Sequence, residues 1–209
     1  MAIVYAAQLR PSKMELLAAW LPQQPWFAAD AAQLVSLGSF RFDDPDGEVG
    51  VESHFLSAGQ HVFHVPLTYR GTPLEGAEAF LVGTMEHSVL GHRWVYDATG
   101  DPVYAATLSA AIFTGKPQAV QLREVDGVRT VLSETATIAA TGVLLGSAPA
   151  LSFLVPVATG SVTTISCGGV ELCVLHVLDP GIGPDTGHGL TGVWDGQDSP
   201  VLFATATAA

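Results

Sequence analysis

Glycine, proline and Asp–Gly turns cut the apolar part of this sequence into short runs, and only two segments carry helix signals at both ends. That punctuation points to a protein built mostly of strands. Its 22 glycines and 13 prolines leave no uninterrupted apolar span of about twenty residues, as a membrane helix requires, despite a mean hydropathy of +0.37. The nearest approach, residues 137–157, is broken by Gly142, Gly146, Ser147, Pro149, Ser152 and Pro156, which suits strands joined by turns.

The first helix starts at Ser12, where Glu15 three residues on completes a capping box. Met14, Leu16, Leu17 and Trp20 give it an apolar face, and Pro22 ends it. The second has Asp101 as N-cap, Pro102 at its first position and Gly115 beyond its end. Extended runs are expected at Ala2 to Leu9, Val35 to Phe42, Glu48 to Leu56, His61 to Tyr69 and, after a loop or half-turn, within Ala77 to Leu90. Beyond the second helix, Val120 to Val125 and Val128 to Ala136 flank the hairpin signal Asp126-Gly127. Further runs follow at Leu151 to Val157, Ser161 to Ser166, Val170 to Leu178 and Val201 to Ala206. Two helices among eight to ten strands make an α+β fold, a mainly antiparallel sheet packed around the helices. With no linker and no repeat, residues 1–209 read as one unit, mixed over 1–115 and β-rich over 116–209.

Charge narrows the partners. Eight Lys plus Arg against 20 Asp plus Glu give a net charge of -12, with Lys13 and Lys116 the only lysines, so no phosphate-backbone stripe can be assembled and nucleic acid is excluded. The N-terminus has no basic, then long apolar, leader pattern, so the expected location is cytoplasmic. In that compartment Cys167 and Cys173 are expected to be reduced, small core residues rather than a disulfide or half a zinc site.

Seven histidines invite a search for chemistry. His54 and His64, sharing a strand face with Glu52, make a two-His-one-carboxylate site conceivable, but no metal motif emerges, and no cofactor is expected. Glu86, His87, His92, Arg93 and Asp97 bring acid, imidazole and guanidinium groups into a short span, as an acid–base site requires. Ser88 among them lacks the glycines of a nucleophile elbow, so structural hydrogen bonding or an interaction surface is favoured there. The glycine-rich run Asp179 to Gly189 lacks the Lys-Ser/Thr of a phosphate cradle and reads as a long hairpin loop, and Asp179, Asp185 and Asp195 form no EF-hand pattern. Among the aromatics, Trp94 alternates with Tyr96 on an extended run. Trp194, between Gly192 and Asp195-Gly196, is the expected exposed ring.

The string Leu21-Pro22-Gln23-Gln24-Pro25-Trp26-Phe27 and the stretches Val65 to Gly71, Gly83 to Ser88, Arg93 to Asp97 and Gly100 to Val103 resemble the maltokinase N-terminal cap-like domain family, most specifically across residues 65 to 115. The resemblance implies cystatin-like elements and, in full-length relatives, a two-lobed kinase body that phosphorylates maltose with ATP. Pro25 stands where those kinases usually have Arg, and Ala28-Ala29-Asp30 replaces their Gly-Lys, so roles of those basic residues do not carry over. No HxD-type loop and no DFG-like triplet occurs here, which leaves a stand-alone cap without kinase lobes. The resemblance thus implies a non-catalytic accessory or regulatory protein with a protein partner in maltose, trehalose or α-glucan metabolism. Two alternatives stay open: an α-glucan-binding module using Trp94 and Trp194, and an enzyme acting on a sugar or sugar phosphate near Glu86 to Asp97. Unpaired sheet edges also leave a homodimer open.

Overall fold

A computed structural model describes residues 2–125, 128–181 and 187–208. Strands β1 (Ala2–Tyr5) and β2 (Leu9–Arg10) precede helix α1 (Lys13–Trp20). The meander β3 (Leu34–Phe42), β4 (Gly50–Ala58) and β5 (His61–Arg70) leads into the hairpin β6 (Leu81–His87) and β7 (Gly91–Asp97), then helix α2 (Pro102–Thr114). The remainder is β8 (Gln121–Val125), β9 (Val128–Val131), β10 (Ala136–Thr141), β11 (Val155–Thr159), β12 (Val162–Ser166), β13 (Val170–Leu175), β14 (Val177–Leu178), β15 (His188–Trp194) and β16 (Gln197–Ala208). The fold is α+β and mainly antiparallel.

The strands form three sheets. The first runs β2-β6-β7-β5-β4-β3 with β14 beside β5, the second β10-β15-β16-β13-β12-β11, and the third β1-β8-β9, where β1 and β8 are parallel. Strand alternation in β4 and β5 divides the core in two. Leu56, Ala58, Phe63, Val65 and Leu67 turn toward Leu16, Leu17 and Trp20 of α1, whereas Val51 and Phe55 turn toward α2 and the second sheet. There Tyr104, Leu108, Ile112 and Phe113 of α2 meet Leu172, Val174, Leu190 and Phe203. This second cluster draws on strands from both sides of residue 115.

Both helices begin as read. Glu15 Oε2 accepts from Ser12 N–H at 2.7 Å and Ser12 Oγ accepts from Glu15 N–H at 3.3 Å. Asp101 caps α2 through Val103 N–H at 2.9 Å, and Gly115 closes it at φ 68°, a left-handed position that favours glycine. Asp101 is also fully buried and takes a two-pronged hydrogen bond from Arg70, both contacts 2.7 Å.

Several runs divide differently from their reading. Residues 2–9 form two strands in different sheets: Gln8 N–H donates to Ser88 Oγ and Ser88 N–H to the Gln8 carbonyl, pulling the chain across to β6. The run from Val128 stops at Val131, and β10 joins the second sheet, with Thr135 bonded to both backbone groups of Ser39 between them. The turn signal Asp126-Gly127, like residues 182–186 with Asp185, lies outside the described residues. β15 occupies the end of the expected hairpin loop and the Trp194 turn. Its glycines obscured it, yet Gly192 is required there, because a Cβ would lie 2.7 Å from the Phe55 ring. Cys167 and Cys173 are free thiols; Cys167 is buried, but Cys173 lies on the outer face of β13 beside Thr164.

Candidate functional site

The meander and α1 bury a cluster of charge. Glu52 on β4 is 4% exposed, and its Oε2 accepts from both Lys13 Nζ, in the first turn of α1, and Arg41 Nη2, at 3.1 Å from β3. Its Oε1 accepts from Ser39 Oγ at 3.3 Å. Burial alone would raise this carboxyl, but Arg41 and Lys13 outweigh it and hold it well below the usual carboxylate range. His54, two residues on and therefore on the same face, has Nε2 3.3 Å from the Tyr69 hydroxyl and 3.8 Å from Glu52. Burial lowers His54 to about 4 against the pull of Glu52, so it is neutral at pH 7. Burial and Glu52 together push the Tyr69 hydroxyl far above its ordinary value.

Lys13, Arg41 and Tyr69 of this cluster reach a cleft of about 430 Å³. Lys13, Arg41, Tyr69, His87 and Arg93 line it from one side, Asp43, Asp44 and Glu48 from the loop between β3 and β4, and Val4, Tyr5 and Leu90 add apolar surface. The expected grouping of Glu52, His54 and His64 is corrected here. His64 pairs with Phe55 across β4 and β5 and so takes the opposite face, 4.8 Å from Phe203, where burial lowers it to about 3. Among the described residues, no group of three His, Cys, Asp or Glu side chains is placed to hold a metal ion.

The structure divides the residues singled out from sequence. His87 and Arg93 reach the cleft, where His87 Nδ1 accepts from Val89 N–H and Leu90 N–H, and Arg93 Nη2 donates to the Leu90 carbonyl at 2.5 Å. Glu86 and His92 face each other across β6 and β7 and pair at 2.6 Å, both exposed, with the His92 ring edge-on to a half-buried Trp94 at 4.5 Å. Asp97 accepts through Oδ1 from Thr99 N–H and Thr99 Oγ1 at 3.0 and 2.8 Å. Ser88 Oγ accepts from Gln8 N–H at 2.9 Å. Trp194 is the clear correction. It is 7% exposed, the last inward residue of β15 after Leu190 and Gly192, and its ring lies 4.7 Å from Phe55. The turn begins only at Asp195, so the ring belongs to the core and presents no surface. The cations Lys13 and Arg41 were not found from sequence; the signal was an acid two residues before a histidine on an apolar strand, which requires buried counter-charge.

A second, smaller cleft of about 220 Å³ gathers Trp20, Trp26, Phe80, Asp97, Thr99 and Thr163. Behind it His176 stacks on Trp26 at 4.6 Å. His176 Nδ1 donates to the His64 carbonyl at 3.3 Å, so Nε2 accepts from Thr163 Oγ1 at 2.8 Å.

The chain is thus an α+β fold in which an antiparallel meander packs on one short capped helix and buries the Glu52 ion pairs. Comparison with known families is specific: residues 20–101 match the maltokinase N-terminal cap domain, so the cap-like resemblance is shown over that segment, which is less than half of the chain. The match takes in Arg41, Glu52, His54, Tyr69 and the whole β6–β7 hairpin, but not Lys13 or α2. No curated protein matches the chain.

Proposed function

We propose that this protein is a non-catalytic cap-type module, a cytoplasmic accessory or regulatory partner of an enzyme of maltose, trehalose or α-glucan metabolism. The observation that carries the reading is the cap-domain match over residues 20–101. Glu86 pairs with His92 across the hairpin and Asp97 accepts from Thr99, so these two acids are held in local contacts. The partner surface is the β6–β7 hairpin, where Glu86 and His92 stand exposed beside Val89, 54% exposed, and Leu90, 43% exposed. The meander on α1 is the part that corresponds to the cystatin-like element, and residues 1–209 act as one unit. The test is to assay maltose, trehalose and α-glucan conversion in source extract with and without added protein. The expected result is a change in one conversion and no turnover by the purified protein alone; turnover by the protein alone overturns the reading.

A second reading, α-glucan binding, is favoured by the smaller cleft, where two tryptophans, the Asp97 carboxylate and two threonine hydroxyls surround space for one sugar ring. Tryptophan fluorescence and calorimetry with millimolar maltose or maltooligosaccharide test it, and an Asp97→Asn variant that responds as wild type does would count against this cleft.

A further inference from the structure

The larger cleft sets a basic wall against an acidic rim. Of eight Lys plus Arg, three line it, Lys13, Arg41 and Arg93, each from a different element. Glu52 accepts from two of them, Lys13 and Arg41. Lys13 and Arg41 bond the same Glu52 oxygen and therefore stand side by side.

His87 completes the arrangement. Its Nδ1 accepts two backbone N–H groups, so the proton of the neutral ring is on Nε2, which is left as a donor. Burial, and then the charge of Arg93, lower its affinity for a proton, with Lys13 and Arg41 adding to the effect, so these groups share one field. Arg93 is held along Gly71, where a Cβ would lie 2.8 Å from Nη1. On the facing loop Asp44 is turned inward, accepting from Asp46, Glu48 and Val49 N–H. Asp43, Asp44 and Glu48 line the opposite rim.

We propose that this cleft binds a small phosphate monoester, with the phosphate oxygens bonded by Arg41, Arg93, Lys13 and His87 and the rest of the molecule toward the acidic rim. Forked guanidinium donors suit a tetrahedral oxyanion. The volume holds a molecule of several atoms beyond the phosphate. Leu90 belongs both to this cleft and to the proposed partner surface, whereas Glu86 and His92 do not line the cleft.

The test is calorimetry and thermal shift of the full chain with inorganic phosphate and with glycerol 3-phosphate, against sodium chloride at matched ionic strength. Saturable binding is expected, weakened about tenfold or more by Arg93→Gln and unchanged by Lys116→Met, which removes the same charge outside the cleft. Backbone amide shifts of the wild type on phosphate addition should centre on residues 13, 41, 87 and 93, which keeps the proposal testable if Arg93→Gln fails to fold. Stabilisation equal to that from chloride, shifts elsewhere, or equal loss in Lys116→Met overturns it.

Discussion

Acidification from pH 7.5 to 5 should remove a large part of this protein's stability, because the core holds neutral imidazoles. His54 and His64 are 5% and 0% exposed, and burial lowers them from 6.5 to about 4 and about 3. Between those values and 6.5 the unfolded chain takes up protons that the native chain refuses, so stability falls as pH falls through that window and levels off only below the folded values. At pH 5 the linkage is about 2 kcal/mol for each ring, about 4 kcal/mol together, against a total of about 5–15 kcal/mol for an ordinary domain. His176, also lowered by burial though Asp97 opposes this, acts in the same direction. Glu52 adds nothing to the slope here. Its folded value is depressed, so its contribution is complete above the unfolded carboxylate range and is lost only at lower pH. Guanidinium unfolding at the two pH values measures the difference. His64→Phe, which keeps a ring between Phe55 and Phe203, should cut it to about 2 kcal/mol. Stability equal within about 1 kcal/mol at pH 7.5 and 5 would show that these rings titrate as exposed ones and refute the reasoning.

Three further outcomes follow from the packing. Asp101→Ala strands the Arg70 guanidinium and uncaps α2, and should cost about 3–5 kcal/mol by urea unfolding, whereas Asp101→Asn, which keeps the cap, should cost less. Gly192→Ala drives a methyl into the Phe55 ring and should cost about 1–3 kcal/mol in the same assay; a neutral result would mean that the two sheets separate easily. Trp194→Ala should cost about 3–5 kcal/mol and leave any response to maltooligosaccharide unchanged, since the ring is core; a stable variant with altered sugar response would restore it to a surface.

What could be read from the sequence was what local chemistry decides. The Ser12–Glu15 box and the Asp101-Pro102 to Gly115 frame fix both helices through their own backbone groups, and the meander from 35 to 69 followed from turns and alternation. Pairing between distant segments was not legible: nothing near Ala2 announces a parallel partner at Gln121, and nothing near Val177 announces β5. Trp194 was misplaced because its glycine neighbours signal a turn, while the period-2 set Leu190, Gly192, Trp194 signals an inward strand, and tertiary packing on Phe55 decides between them. At the site, Glu52 and His54 were visible as a same-face pair. Lys13 and Arg41 were not, because their convergence on one oxygen depends on how α1 crosses the sheet.

The measurement that bears most directly on the cap-type account is quantitative capture from source extract with the immobilised protein, wild type against a variant carrying Glu86→Ala, His92→Ala and Trp94→Ala together. The account predicts enrichment of an enzyme of maltose, trehalose or α-glucan conversion that is lost with the variant while its unfolding midpoint is retained. Identical captured proteins for the two forms, with no such enzyme among them, would contradict it.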